Sequence, residues 1–178
     1  IKHLADPAAC GETIVVGIDG SPQCFHGLKT AIELSKVFHK PIEVVSVYDP
    51  FLHYVAFNGI VDVLSEQASK VFRFKEQEQL HEEIIDTGLA KIYQSHLEVA
   101  REIARADGVD VQLTLLPGKA FEKLLQHVRK VKPWMLILGR IGIHSQPGEM
   151  DLGSNTENLM RLAPCHVLLS SSTYVPPI

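Results

Sequence analysis

Four glycines, at positions 139, 142, 148 and 153, crowd the stretch Leu138–Ser154, directly behind the apolar run Trp134–Leu138. Each glycine costs conformational entropy on folding, so a backbone that carries four of them invites close approach by something else. Ser154 and Glu157 have the S-x-x-E spacing of a capping box, which predicts a helix beginning near Ser154. The first N–H groups of such a helix have no partners within it, and its dipole favours an anion. Glycines ahead of that helix let the backbone fold around phosphate oxygens without obstruction by Cβ atoms. The stretch is built like a phosphate cradle; an ordinary glycine-rich turn is the alternative reading of the same spacing.

A second chemical group stands at Asp19, which ends the apolar run TIVVGID at 13–19. In an open doubly wound sheet, ligands bind beyond the carboxyl ends of the strands, where the winding reverses. If the strands ending at Asp19 and Gly139 are neighbours there, the Asp19 carboxylate faces the glycine loop across a crevice. A turn-forming Asx residue is the plainer alternative for Asp19.

Other chemistries find little in the chain. A Walker A loop is absent. A cluster of acidic residues at strand ends, which phosphoryl-accepting regulators need, is not there either. His81-Glu-Glu has no second histidine four residues on, so a helical zinc site is not expected. His26, His39, His96 and His127 read as helix-surface or boundary residues, and His144 as a solvated residue of the glycine loop. Ser21 lacks the G-x-S-x-G elbow of a nucleophile and reads as a helix cap. Lys119, Lys123, Arg129, Lys130 and Lys132 make a modest basic face, read as solvated surface.

A chain of 178 residues with 46% apolar and 21% charged residues can bury a full core and fits one domain with an insertion. The formal charge of −4 argues against nucleic acid as the main partner. No apolar run approaches the ~20 residues of a membrane span, and Ile1-Lys-His-Leu-Ala-Asp lacks the apolar segment of a signal peptide. A start at isoleucine fits a processed protein or a piece of a longer one. Cys10, Cys24 and Cys165 are too few and too scattered for a disulfide framework, so reduced thiols and a cytoplasmic location are expected, with Cys165 as a small buried apolar residue.

The elements that must position the two chemical groups follow from periodicity. Strands are expected at 13–19, 42–48, 109–116, 134–138 and 166–170, the first apolar throughout, as a strand covered on both faces should be. Ser21-Pro22 starts a first helix, which Lys40-Pro41 ends; Phe25, Leu28, Ile32 and Phe38 form its stripe. Ile85, Leu89, Ile92, Val99 and Ile103 predict a long helix over about 80–106. Short helices follow Pro117-Gly118 and Gly153. Strands and helices in strict alternation demand an α/β fold, a doubly wound parallel sheet with helices on both faces. Residues 49–79 exceed an ordinary crossover and carry Phe51, Tyr54, Phe57, Phe72 and Phe74, so they read as an insertion with a partly helical flap near the crevice.

Three motifs, in order and on the expected elements, resemble the universal stress protein family, in its adenine-nucleotide-binding branch. IVVGIDGS at 14–21 is similar to the family's opening strand ending in D-G-S. Gly139-x2-Gly142-x10-Gly153-Ser154 is similar to its nucleotide signature G-x2-G-x9-G-[ST], with one extra residue. Ala163-Pro-Cys-His-Val-Leu-Leu169 resembles its closing A-P-C-P-V-L-V. The resemblance spans the chain outside 49–79.

It implies a single Rossmann-like domain over 1–178, with five strands in the order 3-2-1-4-5 and ATP in the crevice. Asp19 would bond the ribose, with Gly17 and Ile18 beside the adenine and Val47 lining its pocket. Gly139, Arg140 and Gly142 would wrap ribose and phosphates, and Gly153, Ser154, Asn155 and Thr156 would hold the phosphates from the helix N-terminus. Glu149 and Asp151 in the spacer repel a triphosphate unless a cation intervenes or they point to solvent, so Mg²⁺ or Mn²⁺ is expected with ATP. The resemblance further implies a homodimer through strand 166–170 and a stress-response regulator, not an enzyme, with at most slow hydrolysis. A nucleotide-free interaction module is the competing reading, and a related adenine-nucleotide hydrolase the third.

Overall fold

The computed structural model describes residues 11–50, 74–142 and 152–171, with the backbone alone for 74–86. In chain order the elements are β1 (Ile14–Gly17), α1 (Pro22–Phe38), β2 (Ile42–Tyr48), α2 (Phe74–Ala106), β3 (Val111–Pro117), α3 (Ala120–Val131), β4 (Met135–Gly139), α4 (Ser154–Leu162) and β5 (His166–Ser170). The five strands form one parallel sheet in the order β3-β2-β1-β4-β5, as expected from the resemblance.

Register places Val16 of β1 between Val44 of β2 and Ile137 of β4, so the middle of the sheet is aliphatic throughout. Alternation along each strand then sends side chains to two cores. On one face α1 and α2 bury Leu28, Ile32, Leu97, Ala100 and Ala104 against Ile14, Val16, Ile42 and Val44. On the other, α3 and α4 bury Leu124, Leu125, Val128 and Leu159 against Val15, Val45, Leu136 and Leu138. Each such fully buried aliphatic side chain contributes about 2 kcal/mol. This two-sided burial is why the strands read as continuous apolar runs rather than alternating ones.

Two boundaries near the site differ from the sequence reading. Strand β1 stops at Gly17 because the chain then turns through Gly20, whose φ of +89° no strand adopts. Helix α2 starts at Phe74 rather than near 80, so its first turns fall within the stretch read as insertion. The rest of that stretch, 51–73, lies outside the described residues, and with it the expectation of a flap.

One interior strand residue is charged. Glu43 of β2 is 5% exposed beneath α3. Its Oε1 accepts from Thr114 Oγ1 at 2.7 Å and lies 3.0 Å from Nε2 of His127 on α3. His127 is therefore not the surface residue its helical position implied: it partners a buried carboxylate. Among the described residues, no helix is long and apolar enough to cross a membrane.

Candidate functional site

Strands β1 and β4 are hydrogen-bonded neighbours, and their carboxyl ends open at the point where the sheet winds in opposite directions. The supposition behind the crevice therefore holds. Asp19 leaves β1 with its Oδ1 accepting the Ser21 N–H at 2.9 Å, an Asx turn that fixes the carboxylate. Its Oδ2 faces the glycine loop: a Cβ on Gly142 would lie 3.0 Å from that oxygen. One oxygen thus holds the turn, as the Asx reading expected, and the other is turned to Gly142.

The loop's two ends are tied together. Gly153 N–H donates to the Arg140 carbonyl at 3.1 Å, and a Cβ on Gly153 would lie 3.5 Å from the Gly142 nitrogen. Residues 143–151, which include Glu149, Asp151 and His144, lie outside the described residues. Arg140 donates its own N–H to the Ser170 carbonyl at the end of β5, and its side chain is exposed. Gly139 is packed hard: a Cβ there would lie 3.3 Å from Gln23 Cβ and 3.5 Å from the Cys24 nitrogen, so α1 abuts this turn. Gln23, 5% exposed, accepts the Ile141 N–H at 3.1 Å with its Oε1. Helical periodicity does not single out a glutamine in the first turn of a helix, so nothing in the sequence signalled that role.

At the loop's far end the capping-box expectation fails in detail. Gly153, not Ser154, occupies the N-cap of α4, and no side chain caps it. The bond from Gly153 to Arg140 pins that residue at the half-helical position, and Glu157 N–H then donates to the Gly153 carbonyl at 2.9 Å. Ser154 and Asn155 are exposed in the first turn, while Thr156 is 7% exposed and donates its hydroxyl to the Gly139 carbonyl at 2.9 Å. The Thr156 side chain thereby clamps α4 to the end of β4. Ser21 shows the same pattern at α1: it sits at the N-cap with extended backbone, yet its hydroxyl makes no capping bond and is buried without a partner among the described residues.

The remaining expected residues are at the β1 and β2 ends. Ile18 is 3% exposed in the first core; its N–H donates to Val45, and its carbonyl accepts from Ser46 Oγ at 2.7 Å. Gly17 packs on the opposite face, where a Cβ would lie 2.8 Å from Leu138 Cδ2. Val47 is half-buried and packs against the second core with Leu116 and Phe121. Two residues assigned to other roles also reach this corner. His96, read as a helix-surface residue, lies against Gly20: a Cβ there would be 2.5 Å from its Cε1. Tyr93, one turn earlier on α2, packs edge-on to His96 with ring centroids 5.6 Å apart.

Electrostatically the site is anionic on the β1 side. Burial, and then the charge of Asp19, pushes the Cys24 thiol up to about 11, so this cysteine is an inert core group rather than a nucleophile. Among the described residues, no three His, Cys, Asp or Glu side chains converge to hold a metal ion. The arrangement offers a helix N-terminus, a tight glycine turn and an oriented carboxylate around one crevice. That set can hold an anionic group and a hydroxyl donor side by side.

Comparison with known proteins agrees with this geometry. The model of the universal stress protein family matches residues 12–170. Among curated proteins, no sequence matches the chain. Universal stress protein UspA from Lactobacillus plantarum superimposes with a TM-score of 0.68 at 14% identity, over 90% of this chain and 98% of its own. A universal stress protein solved in complex with cAMP gives 0.60 at 21% identity, over 92% and 99%. The universal stress protein from Archaeoglobus fulgidus in complex with dAMP gives 0.52 at 18%, over 89% and 96%. At such identities the structural likeness concerns the fold, and the family match covers nearly all of it. The chain belongs to the universal stress protein family.

Proposed function

We propose that this domain binds an adenine nucleotide, ATP together with Mg²⁺ or Mn²⁺, in the crevice between the ends of β1 and β4. The observation that carries the reading is the meeting of Asp19 Oδ2, Gly142 and Gly153 at the N-terminus of α4. Backbone N–H groups of Ser154, Asn155 and Thr156 face the phosphates, Gly139, Arg140 and Gly142 close the turn around them, and Asp19 takes the ribose. Gly17, Ile18 and Val47 shape the base end; Ile18 does so by its backbone position, since its side chain is in the core. Solved family members in complex with cAMP and dAMP support a nucleotide of this class.

The domain acts as a nucleotide-responsive regulator in the cytoplasm rather than as a turnover enzyme, as the family resemblance implies. Residues 1–178 serve as one domain, with 49–79 inserted after β2. A homodimer forms through β5, one of the two outer strands of the sheet; Met160 and Leu162 of the preceding helix α4 are exposed. That exposed pair also favours the second reading, a module that works through self-association without nucleotide. Denaturing the purified protein and identifying released small molecules by mass spectrometry separates the two. An adenine nucleotide in stoichiometric amount is expected; its absence, with no uptake of added ATP, would leave the interaction module.

A further inference from the structure

The glycine turn after β4 is pinned one peptide at a time. In the Gly139–Arg140 peptide, the carbonyl accepts the Thr156 hydroxyl at 2.9 Å and the N–H donates to the Ser170 carbonyl at 2.9 Å. In the Arg140–Ile141 peptide, the carbonyl accepts the Gly153 N–H at 3.1 Å and the N–H donates to Gln23 Oε1 at 3.1 Å. A peptide group is planar, so a bond at each end fixes its orientation. Helix α4, its N-cap and the end of β5 thus supply three of the four bonds. The fourth comes from a side chain of α1, 118 residues away in sequence.

The peptide that follows, Ile141–Gly142, is placed differently. Its N–H donates to no backbone carbonyl among the described residues, and its nitrogen lies 3.5 Å from where a Cβ on Gly153 would stand, at the N-cap of α4. Only the two backbone dihedrals of Ile141 separate this peptide from the plane that Gln23 holds. Gln23 is well suited to hold it. The side chain is 5% exposed, and its Cβ lies 3.3 Å from where a Cβ on Gly139 would stand, so it has little room to swing aside. Its acceptor is an uncharged amide oxygen, which satisfies the N–H without setting a further carboxylate beside a phosphate.

We propose that Gln23 is a positioning residue for the phosphate turn: by accepting the Ile141 N–H it sets the plane from which the Gly142 N–H is aimed at a phosphate of the bound nucleotide. The inference rests on the nucleotide reading above and adds to it a residue of α1 that acts through the turn rather than on the ligand. Because the bond acts at the phosphate end, its loss weakens a nucleotide and spares the corresponding nucleoside.

The test is titration of Mg²⁺–ATP and of adenosine into the wild-type chain, Gln23→Met and Gln23→Asn, with folding checked by circular dichroism. Methionine keeps the length and removes the amide acceptor; asparagine keeps the amide and withdraws it by one methylene, which also covers the case in which methionine prevents folding. Either change is expected to lower the ratio of ATP to adenosine affinity by about tenfold, the worth of one misdirected hydrogen bond to a charged group, with adenosine affinity unchanged. Ile32→Val, a change in the core face of the same helix, should lower stability and keep the wild-type ratio. If the wild type binds neither ligand, the nucleotide reading falls and this inference with it. If the wild type binds ATP and a folded Gln23 variant keeps the full ratio, or if Ile32→Val lowers the ratio as much, the nucleotide reading stands and positioning by Gln23 is overturned.

Discussion

Asp19 and Gly142 meet across the gap between β1 and β4, with Asp19 Oδ2 placed 3.0 Å from where a Cβ on Gly142 would stand. A carboxylate therefore lies directly under the turn assigned to phosphate. A phosphate held by that turn would bring like charges together in a partly desolvated cleft, where they repel, and the same loop carries two further acidic residues, Glu149 and Asp151.

Metal dependence follows. Titration of ATP in the presence of Mg²⁺ should give tight binding, and addition of a chelator should reduce ATP affinity to that of AMP. An ATP affinity unmoved by chelator would mean that these carboxylates point away from the phosphates.

Gly20 sustains two constraints, a φ of +89° and the His96 ring packed on its Cα. Gly20→Ala is expected to destabilise the fold by about 1–3 kcal/mol. Adding His96→Ala should recover the steric share and leave the conformational share, so a double-mutant cycle by urea unfolding would show coupling. Strict additivity of the two changes would refute the packing account.

The Glu43–His127 pair carries a different expectation. Removing the imidazole leaves a carboxylate at 5% exposure with Thr114 as its remaining side-chain donor. His127→Ala should cost about 1–3 kcal/mol in chemical denaturation. Glu43→Gln, which keeps an acceptor oxygen, should cost less; the reverse ranking would show that helix packing rather than the polar contact is at stake.

The thiols should separate by reactivity. Cys24 is 2% exposed and pushed up to about 11, mainly by burial, whereas Cys165 is half-buried at the start of β5. Because the unfolded thiol ionises near 9.0, the protonated Cys24 supports folding fully below that value and loses its contribution as pH rises toward 11. Alkylation of the native protein at pH 8, read by peptide mass, should label Cys165 well before Cys24. Equal labelling would mean that the α1 N-terminus opens readily.

Much of the fold was legible because burial on two faces writes continuous aliphatic runs, and IVVG, IEVVSVY and MLILG could be little else than interior strands. The strand order came from resemblance, not from periodicity, since hydrophobic runs do not say which neighbour they pair with. At the site, Asp19 and the glycines were visible as residue types whose cost demands a reason. Gln23, Tyr93 and His96 were not. Their roles depend on α1 abutting Gly139 and on α2 crossing the Gly20 turn, and such tertiary approaches leave no local pattern. The capping box misled for a related reason: Gly153 is held by Arg140, a contact that the S-x-x-E spacing cannot register.

Calorimetric titration of Mg²⁺–ATP into the wild type and into folded Gly142→Val tests the central claim most directly. A valine there drives branched methyl groups into Asp19 Oδ2 and the closing turn, so the account predicts saturable heat for the wild type and none for the variant. Equal ATP affinity in the two proteins, with both shown to be folded, would contradict a nucleotide site built on the meeting of Asp19, Gly142 and Gly153.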